Sequence, residues 1–194
     1  MKVAIVKYNA GNTVSVANAL TRLGVEPIVT ELADELRTAD KVIFPGVGEA
    51  STAMRYLREK GVDDVIRSLQ QPVLGICLGM QLMCSFSEEN ATTCLGILPH
   101  SVDRFESSTL KVPHTGWNRI ERLDSPLFRG VTEGSRVYFV HGYYVDVGSD
   151  TTAVTDHGGP FSAGLSRDNF HALQFHPEKS GDVGSLILTN FLNI

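Results

Sequence analysis

The sequence lacks three features that mark large classes of protein. Its three cysteines in 194 residues have no regular spacing, so we expect no disulfide framework and a reducing, cytoplasmic location. It has a net charge of −5 and no Lys/Arg cluster, which argues against nucleic-acid binding. No apolar run is long enough to span a membrane, so no membrane association is expected. The length of the chain and its 42% hydrophobic residues are typical of one globular domain.

The first half of the chain alternates short apolar runs with helical periodicity. Strands are predicted at residues 2–6, 27–29, 41–44 and 73–76. Helices are predicted to begin near Thr13 and near Ala50, the second ending at Gly61, and a third to cover residues 80–86. This alternation predicts an α/β fold with a mostly parallel, flavodoxin-like sheet covered by helices on both faces.

The second half changes character. Short β-rich segments at residues 102–105, 117–120, 137–140, 163–165 and 172–175, with another around Val154, are separated by polar turns. We expect them to add antiparallel strands to an edge of the sheet, before a closing amphipathic helix over residues 183–192. Since no linker, repeat or low-complexity segment interrupts the chain, residues 1–194 are predicted to form a single domain.

The strongest chemical signal is the segment Gly75-Ile76-Cys77-Leu78-Gly79. It has the form of a strand-to-helix elbow, in which a tight turn between small residues lifts a nucleophile above the sheet edge. A helix N-terminus there favours the thiolate of Cys77. The alternative is a buried structural cysteine, because cysteine is among the most buried residue types. The other two cysteines, at positions 84 and 94, lack such a setting and are interpreted as structural.

A thiol that attacks an amide needs an oriented base. His176-Pro177-Glu178 supplies an imidazole and a carboxylate. The residue before a proline is biased toward extended backbone, in which residues i and i+2 project to the same side. We therefore predict that His176 ends a strand with Glu178 beside its ring, although a solvated turn would have a similar sequence.

An oxyanion hole would complete such a site, since amide hydrolysis passes through a negatively charged tetrahedral intermediate. The N–H of Leu78 is one candidate donor. A second is expected near Val47 or Gly48, in the glycine-rich segment that follows the strand predicted next to that of Cys77. A plain turn between strand and helix is the alternative.

The remaining histidines show no metal-ligand spacing, so we predict no metal site and no cofactor, and interpret them as structural or surface residues. They are His100, His114, His141, His157 and His171.

Together, the elbow with the following Met80-Gln81 and the His-Pro-Glu segment resemble the triad (class I) glutamine amidotransferases. The resemblance covers essentially the whole chain. Further segments narrow it to members whose ammonia feeds a separate cyclase subunit in histidine biosynthesis. These are Gly11-Asn12 with Ser15-Val16, Pro45-Gly46-Val47-Gly48, Pro113-His114-Thr115-Gly116-Trp117-Asn118 and Tyr138-Phe139-Val140-His141.

The resemblance implies that Cys77, His176 and Glu178 hydrolyse L-glutamine through a thioester, and that the partner is a (β/α)₈-barrel cyclase in a heterodimer. It also implies specific contacts. Those to glutamine would come from Gly48, Gln81, Glu89, Gly142 and Tyr143, and those to the cyclase from Asn12, Trp117, Tyr138 and Lys179. Trp117 could instead be a core residue, and Lys179 an ordinary solvated charge. The isolated chain is expected to be a poor glutaminase.

Three positions depart from the family pattern. Gly142 stands where a small hydroxyl residue is common, Thr115 where Met is common and Asn9 where Gly is common. Two other functions remain open at this point. One is an amidotransferase serving another synthase, such as the pyridoxal phosphate, anthranilate or GMP systems, and the other is a non-catalytic flavodoxin-like binding domain.

Overall fold

The computed structural model describes residues 1–106 and 110–194. Its first part alternates strands and helices, as the periodicity predicts. The elements in chain order are β1 (Val3–Val6), α1 (Thr13–Arg22), β2 (Ile28–Thr30), α2 (Ala33–Arg37), β3 (Lys41–Gly46), α3 (Ala50–Glu59), α4 (Val62–Ser68), β4 (Val73–Cys77) and α5 (Leu78–Met83).

The second part is richer in short strands. It contains β5 (Phe86–Ser87), β6 (Thr92–Thr93), β7 (Ser101–Arg104), β8 (His114–Arg119), β9 (Arg136–His141), β10 (Tyr143–Tyr144), β11 (Thr151–Asp156), β12 (Pro160–Arg167), β13 (Phe170–Leu173) and α6 (Gly181–Leu192). Three 3₁₀ turns cover Glu89–Ala91, Pro126–Phe128 and Pro177–Lys179.

A seven-stranded sheet organises the described residues, in the order β11-β12-β13-β4-β3-β1-β2. The five strands from β13 to β2 are mutually parallel, and β11 and β12 are antiparallel additions at one edge. The α/β fold with a mostly parallel sheet is thus confirmed. Strand β4 lies between β3 and β13, with Gly46 beside Cys77 and Leu173 beside Ile76. The carboxyl ends of these three strands therefore meet at one edge.

Two hydrophobic cores cover the two faces of this sheet. In β1, Ala4 and Val6 belong to the core formed with α2, α3, α4 and α5, whereas Val3 and Ile5 belong to the core formed with α1 and α6. This division follows from the two-residue period of a strand. Because both faces are buried, the inner strands are apolar along their whole length.

Several sequence predictions need correction. The third helix ends at Met83 rather than at residue 86, because the chain turns there into β5. Gly61 follows the end of α3, in keeping with the prediction that it stops this helix, and its backbone is left-handed. A helix that was not predicted, α4, begins at the next residue. The short helix α2 was also missed.

The second half does not simply extend the main sheet. Strands β8 and β9 form a separate antiparallel pair, and β7 lies in a small sheet with β5, β6 and β10. Strand β13 joins the main sheet parallel to β4, not antiparallel. No helix of the described residues is long and apolar enough to cross a membrane.

Candidate active site

Cys77 lies at the point where β4 turns into α5. Its backbone has φ +53° and ψ −109°, a conformation that non-glycine residues rarely adopt. Such geometry costs on the order of 1–3 kcal/mol and persists only where the surroundings enforce it. The predicted strained elbow is therefore present, with the cysteine at the first turn of a short helix.

Close packing around the elbow explains the small residues on either side of it. A Cβ added at Gly79 would lie 1.8 Å from the carbonyl oxygen of Phe44, and one added at Gly46 would lie 2.8 Å from the Cβ of Leu78. Side chains at these positions would push α5 away from β3. The glycines thus allow the elbow to sit directly against the neighbouring strand.

His176 and Glu178 form a buried pair at the same edge. The Nδ1 of His176 lies 2.8 Å from Oε1 of Glu178, and each side chain is only 1% exposed. The predicted pairing is present, but the reason given for it was wrong. Strand β13 ends at Leu173, and the 3₁₀ turn Pro177–Lys179, rather than strand pleating, brings the carboxylate to the ring.

The charge of His176 is set by its two neighbours. Burial lowers the pKa of its ring, but Cys77 and Glu178 more than offset this and raise the pKa to about 10. Within the described residues, Nε2 of His176 and Oε2 of Glu178 are buried without a hydrogen-bond partner. The imidazolium form is thus favoured at neutral pH, and its second nitrogen is free to exchange a proton.

The thiol of Cys77 has two other polar neighbours. Its Sγ lies 3.7 Å from the carbonyl oxygen of Val140, to which it donates, and 3.8 Å from Nε2 of Gln174, which donates to it. Gln174 was not predicted as a site residue. The parallel register of β13 with β4 carries it to the sulfur, and because this pairing joins distant parts of the chain, no local sequence signal indicates it.

A cavity of about 290 Å³ opens in front of Cys77. This is at the small end of ligand pockets and suits a ligand of amino-acid size. All residues predicted to bind glutamine line it, together with all three predicted oxyanion residues. The lining comprises Val47, Gly48, Cys77, Leu78, Gln81, Glu89, Pro113, Val140, His141, Gly142 and Tyr143.

Two polar residues of this cavity are held by the protein itself. Nε2 of Gln81 donates to the carbonyl oxygen of Tyr143 at 3.2 Å and to Oε1 of Gln174 at 3.0 Å. Oε2 of Glu89 accepts from the N–H of Ala50 at 2.7 Å, at the start of α3. Burial raises the pKa of Glu89. Both side chains are therefore fixed in position before any ligand enters.

The predicted oxyanion donors differ in their availability. Leu78 is the first residue of α5, so its N–H has no acceptor within that helix. The N–H of Val47 donates to the carbonyl oxygen of Ala10 at 2.7 Å and is already occupied. An oxyanion role for Val47 therefore needs a conformation in which this bond is broken, and it stays a prediction. Gly48, with φ +114°, lies beside it on the cavity wall.

The residues predicted to face a partner lie near the same edge of the sheet. Trp117 on β8 is 52% exposed, so the alternative of a core tryptophan is wrong. Its ring meets that of Tyr138 edge-on, with centroids 6.1 Å apart. The carbonyl oxygen of Tyr138 accepts from the N–H of His176 at 2.9 Å. Lys179 is exposed next to the buried pair, and Asn12 immediately precedes α1.

The other two cysteines are buried and free. Burial raises the pKa of the Cys84 thiol, and it raises that of Cys94 to about 11, so neither is poised as a nucleophile. Across residues 1–106 and 110–194, no group of three or more His, Cys, Asp or Glu side chains could hold a metal ion. The chemistry of this edge therefore centres on Cys77.

Known proteins are similar to this chain both in sequence and in fold. The family model described as "Glutamine amidotransferase class-I" matches residues 4–194. Proteins named "Imidazole glycerol phosphate synthase subunit HisH" are similar over the full length of both chains. Those from Bacteroides fragilis, Bacteroides thetaiotaomicron and Yersinia pseudotuberculosis are 59%, 57% and 42% identical over 196 residues, with 100% of each chain covered.

Solved structures share the fold at lower identity. One is a "putative gmp synthase subunit a protein" from Thermoplasma acidophilum, with a TM-score of 0.75, 22% identity and coverage of 100% of this chain and 92% of that one. Another is "PurLQS from Thermotoga maritima", with a TM-score of 0.75, 20% identity and coverage of 99% and 97%.

Proposed function

The chain belongs to the class-I glutamine amidotransferase family, and we propose that Cys77, His176 and Glu178 are the residues with which it releases ammonia from the side-chain amide of glutamine. The observation that carries this proposal is the buried His176–Glu178 pair beside a strained cysteine that opens onto an amino-acid-sized cavity. Cys77 is placed to act as the nucleophile, His176 as the acid and base, and Glu178 as the group that orients the His176 ring.

In the first half of the reaction, the thiolate of Cys77 attacks the amide carbon of the glutamine side chain. The negative charge that develops on the amide oxygen is stabilised by backbone N–H donors, of which that of Leu78 is one. His176, held protonated by Glu178 and the thiolate, gives its Nε2 proton to the leaving nitrogen. The carbon–nitrogen bond then breaks, which leaves ammonia and a glutamyl thioester on Cys77.

In the second half, the neutral ring of His176 takes a proton from water. The resulting hydroxide equivalent attacks the thioester carbon, and the carbon–sulfur bond breaks to give glutamate and the thiolate. Glu178 keeps the ring in the tautomer with Nδ1 protonated, so that Nε2 serves as acid and then as base.

The resting donor set is incomplete, which supports the expectation that the isolated chain is a poor glutaminase. The N–H of Val47 must leave Ala10 before it can help to bind an oxyanion. A ligand-loaded partner that favours this rearrangement would raise the glutaminase rate. Gly48, with its permissive backbone, is suited to absorb the change in dihedral angles.

The ammonia serves imidazole glycerol phosphate synthesis in histidine biosynthesis, as the names of relatives up to 59% identical support. We infer a heterodimer with a (β/α)₈-barrel cyclase subunit, whose products are imidazole glycerol phosphate and AICAR. The exposed ring of Trp117, with Asn12, Tyr138 and Lys179, is the surface that we assign to this contact. The free cysteines fit a cytoplasmic location.

The function can be tested in a coupled assay of the chain with its cyclase. Cys77→Ala should abolish product formation from glutamine and leave formation from added ammonia unchanged, because only the glutaminase step needs the thiol. The loss should reach at least about 10⁴-fold in kcat. Cys84→Ala is the matched control and should retain activity with both nitrogen sources. Glutamine turnover that survives in Cys77→Ala would refute the assignment.

A further inference from the structure

His114 and His141 are in direct contact, although neither belongs to the proposed catalytic triad. Nδ1 of His114 lies 3.0 Å from Nε2 of His141, and both residues are 6% exposed. Their rings meet edge-on with centroids 5.0 Å apart. Because a histidine pair of this kind can hold only one proton between its two facing nitrogens, its other contacts decide which ring donates.

The contacts at both ends of the pair fix that choice. Nδ1 of His141 lies 2.6 Å from the carbonyl oxygen of Tyr143, which can only accept, so Nδ1 of His141 carries a proton. In a neutral ring Nε2 is then an acceptor, and Nδ1 of His114 must donate to it. Nε2 of His114 is thereby left as an acceptor, and the side-chain amide of Asn118 lies 3.2 Å from it.

Asn118 closes the chain of hydrogen bonds without a conflict. Its Nδ2 also donates to the carbonyl oxygen of Asp156 at 2.8 Å, and its Oδ1 accepts from the N–H of Arg119 at 2.8 Å. Every polar atom of the three side chains thus has a partner of the correct kind. A network of this sort is rigid, because moving one member leaves a buried group unsatisfied.

One end of this network is the backbone of the proposed glutamine pocket. The carbonyl oxygen of Tyr143 accepts from His141 and also from Gln81, and the carbonyl oxygen of Gly142 accepts from the N–H of Phe105 at 3.2 Å. His141, Gly142 and Tyr143 all line the cavity. The other end, Asn118, follows the exposed Trp117 on β8.

We propose that Asn118, His114 and His141 form a neutral histidine relay that fixes the Gly142–Tyr143 backbone for glutamine, so that His114 and His141 are positioning residues for substrate binding. Gly142 makes such a support necessary, because it carries no side chain that could hold this stretch in place. Burial lowers the pKa of His141 to about 3 and that of His114 to about 4, in keeping with neutral rings.

Two substitutions of His114 test the relay, which rests on the proposed glutaminase function. His114→Phe keeps a ring of similar size but cannot donate, whereas His114→Asn can place an amide N–H near the original Nδ1. With the cyclase present, His114→Phe should raise the KM for glutamine about 10-fold and change kcat less than about threefold. His114→Asn should keep KM within about threefold of the unsubstituted chain.

An unchanged KM in His114→Phe, or an equal rise in both variants, would overturn the relay. The same assay includes the unsubstituted chain and Cys77→Ala. Their glutamine turnover tests the glutaminase proposal independently of the relay. ¹⁵N NMR of the histidine-labelled chain gives a readout that needs no turnover. Both rings should be neutral with Nδ1 protonated at pH 7. An Nε2-protonated or charged form of either ring would also overturn the relay.

Discussion

Two buried histidines, His176 and His141, differ in charge at neutral pH: the ring of His176 is protonated, whereas that of His141 is neutral. His176 lies 2.8 Å from a carboxylate and near a thiol, and its pKa is raised to about 10 despite burial. His141 is comparably buried, but its polar partners are a carbonyl oxygen and a second imidazole, and burial lowers its pKa to about 3. Burial disfavours the charged ring in both cases, so the partner decides the protonation state.

The difference suits the two roles. A ring that exchanges protons with a substrate needs a second nitrogen free of other partners, and Nε2 of His176 has none within the described residues. A ring that holds the backbone in place needs a hydrogen bond at both of its nitrogens. Both nitrogens of His141 form one. Substitutions at either histidine site can therefore test how the neighbouring groups set the protonation state.

The largest effect is expected from Glu178→Gln. Without the carboxylate, the pKa of His176 should fall, because Cys77 alone then opposes the effect of burial. The ring would also lose the acceptor that keeps Nδ1 protonated. By analogy with other triads in which an amide replaces the orienting carboxylate, kcat should fall about 10³–10⁴-fold. Steady-state glutamine turnover and an NMR titration of the His176 ring measure the two effects.

Asp182→Asn is the matched control for this variant. Asp182 is an exposed carboxylate four residues further along, at the first turn of α6. Its substitution should leave kcat within about twofold of the unsubstituted value, as expected for a surface charge. If Glu178→Gln retained a kcat within tenfold of the unsubstituted chain, the hydrogen bond to Glu178 would not be what distinguishes His176 from His141.

An intermediate effect is expected in the pH dependence of stability. The relay histidines have pKa values lowered to about 4 and about 3, against about 6.5 in an unfolded chain. The unfolded state therefore binds more protons below pH 6.5, and stability must fall as the pH drops from about 6.5 toward 4. His176 has the opposite sign. Its raised pKa contributes stability that is fully present below pH 6.5 and is lost as the pH rises toward about 10.

Urea unfolding at a series of pH values tests this sign difference. His114→Asn removes one titrating ring, so its stability should fall less steeply between pH 6.5 and 4.5. The change in slope should be below about 1.4 kcal/mol per pH unit, the limit for one proton. The groups facing the relay, His157 and His176, are unchanged in the variant. An identical slope in both proteins would show that His114 is not buried as a neutral ring.

Much of this architecture could be predicted from the sequence, because short-range residue patterns indicate it. The alternation of apolar strands and amphipathic helices gave the parallel sheet, and the small residues around Cys77 gave the elbow. The five residues that the family resemblance implies for glutamine binding all line the cavity, but three further lining residues, Pro113, Val140 and His141, were not predicted. What the sequence could not provide was pairing between distant strands, such as β8 with β9 or β13 with β4.

The features of the site that the sequence patterns do not indicate have the same origin. The N–H of Val47 is occupied by Ala10, a residue 37 positions away, and no local pattern indicates that bond. His114 and His141 have no metal-ligand spacing and were interpreted as structural or surface residues, yet the β8–β9 pairing sets them opposite one another in register. Tautomers and charge states depend on such tertiary neighbours, and so they emerge only from coordinates.

The smallest effect is expected at the outer end of the relay. Asn118→Ala removes the donor to Nε2 of His114 and the bond to the carbonyl oxygen of Asp156, but it leaves the contact between His114 and His141 in place. Because Asn118 is partly exposed, water can replace the lost donor, and the cost should be about 0.5 kcal/mol, the low end for one hydrogen bond.

The KM for glutamine in Asn118→Ala should therefore rise about two- to threefold, with kcat unchanged. Thr115→Ala is a matched control on the same strand, because the one hydrogen bond of the Thr115 hydroxyl within the described residues is to the carbonyl oxygen of Pro113, at 3.5 Å. A rise in KM as large as that of His114→Phe would mean that Asn118 supports the glutamine pocket through contacts other than its hydrogen bond to His114. No rise at all would place the end of the relay at His114, because the histidine pair would then position the Tyr143 carbonyl without support from Asn118.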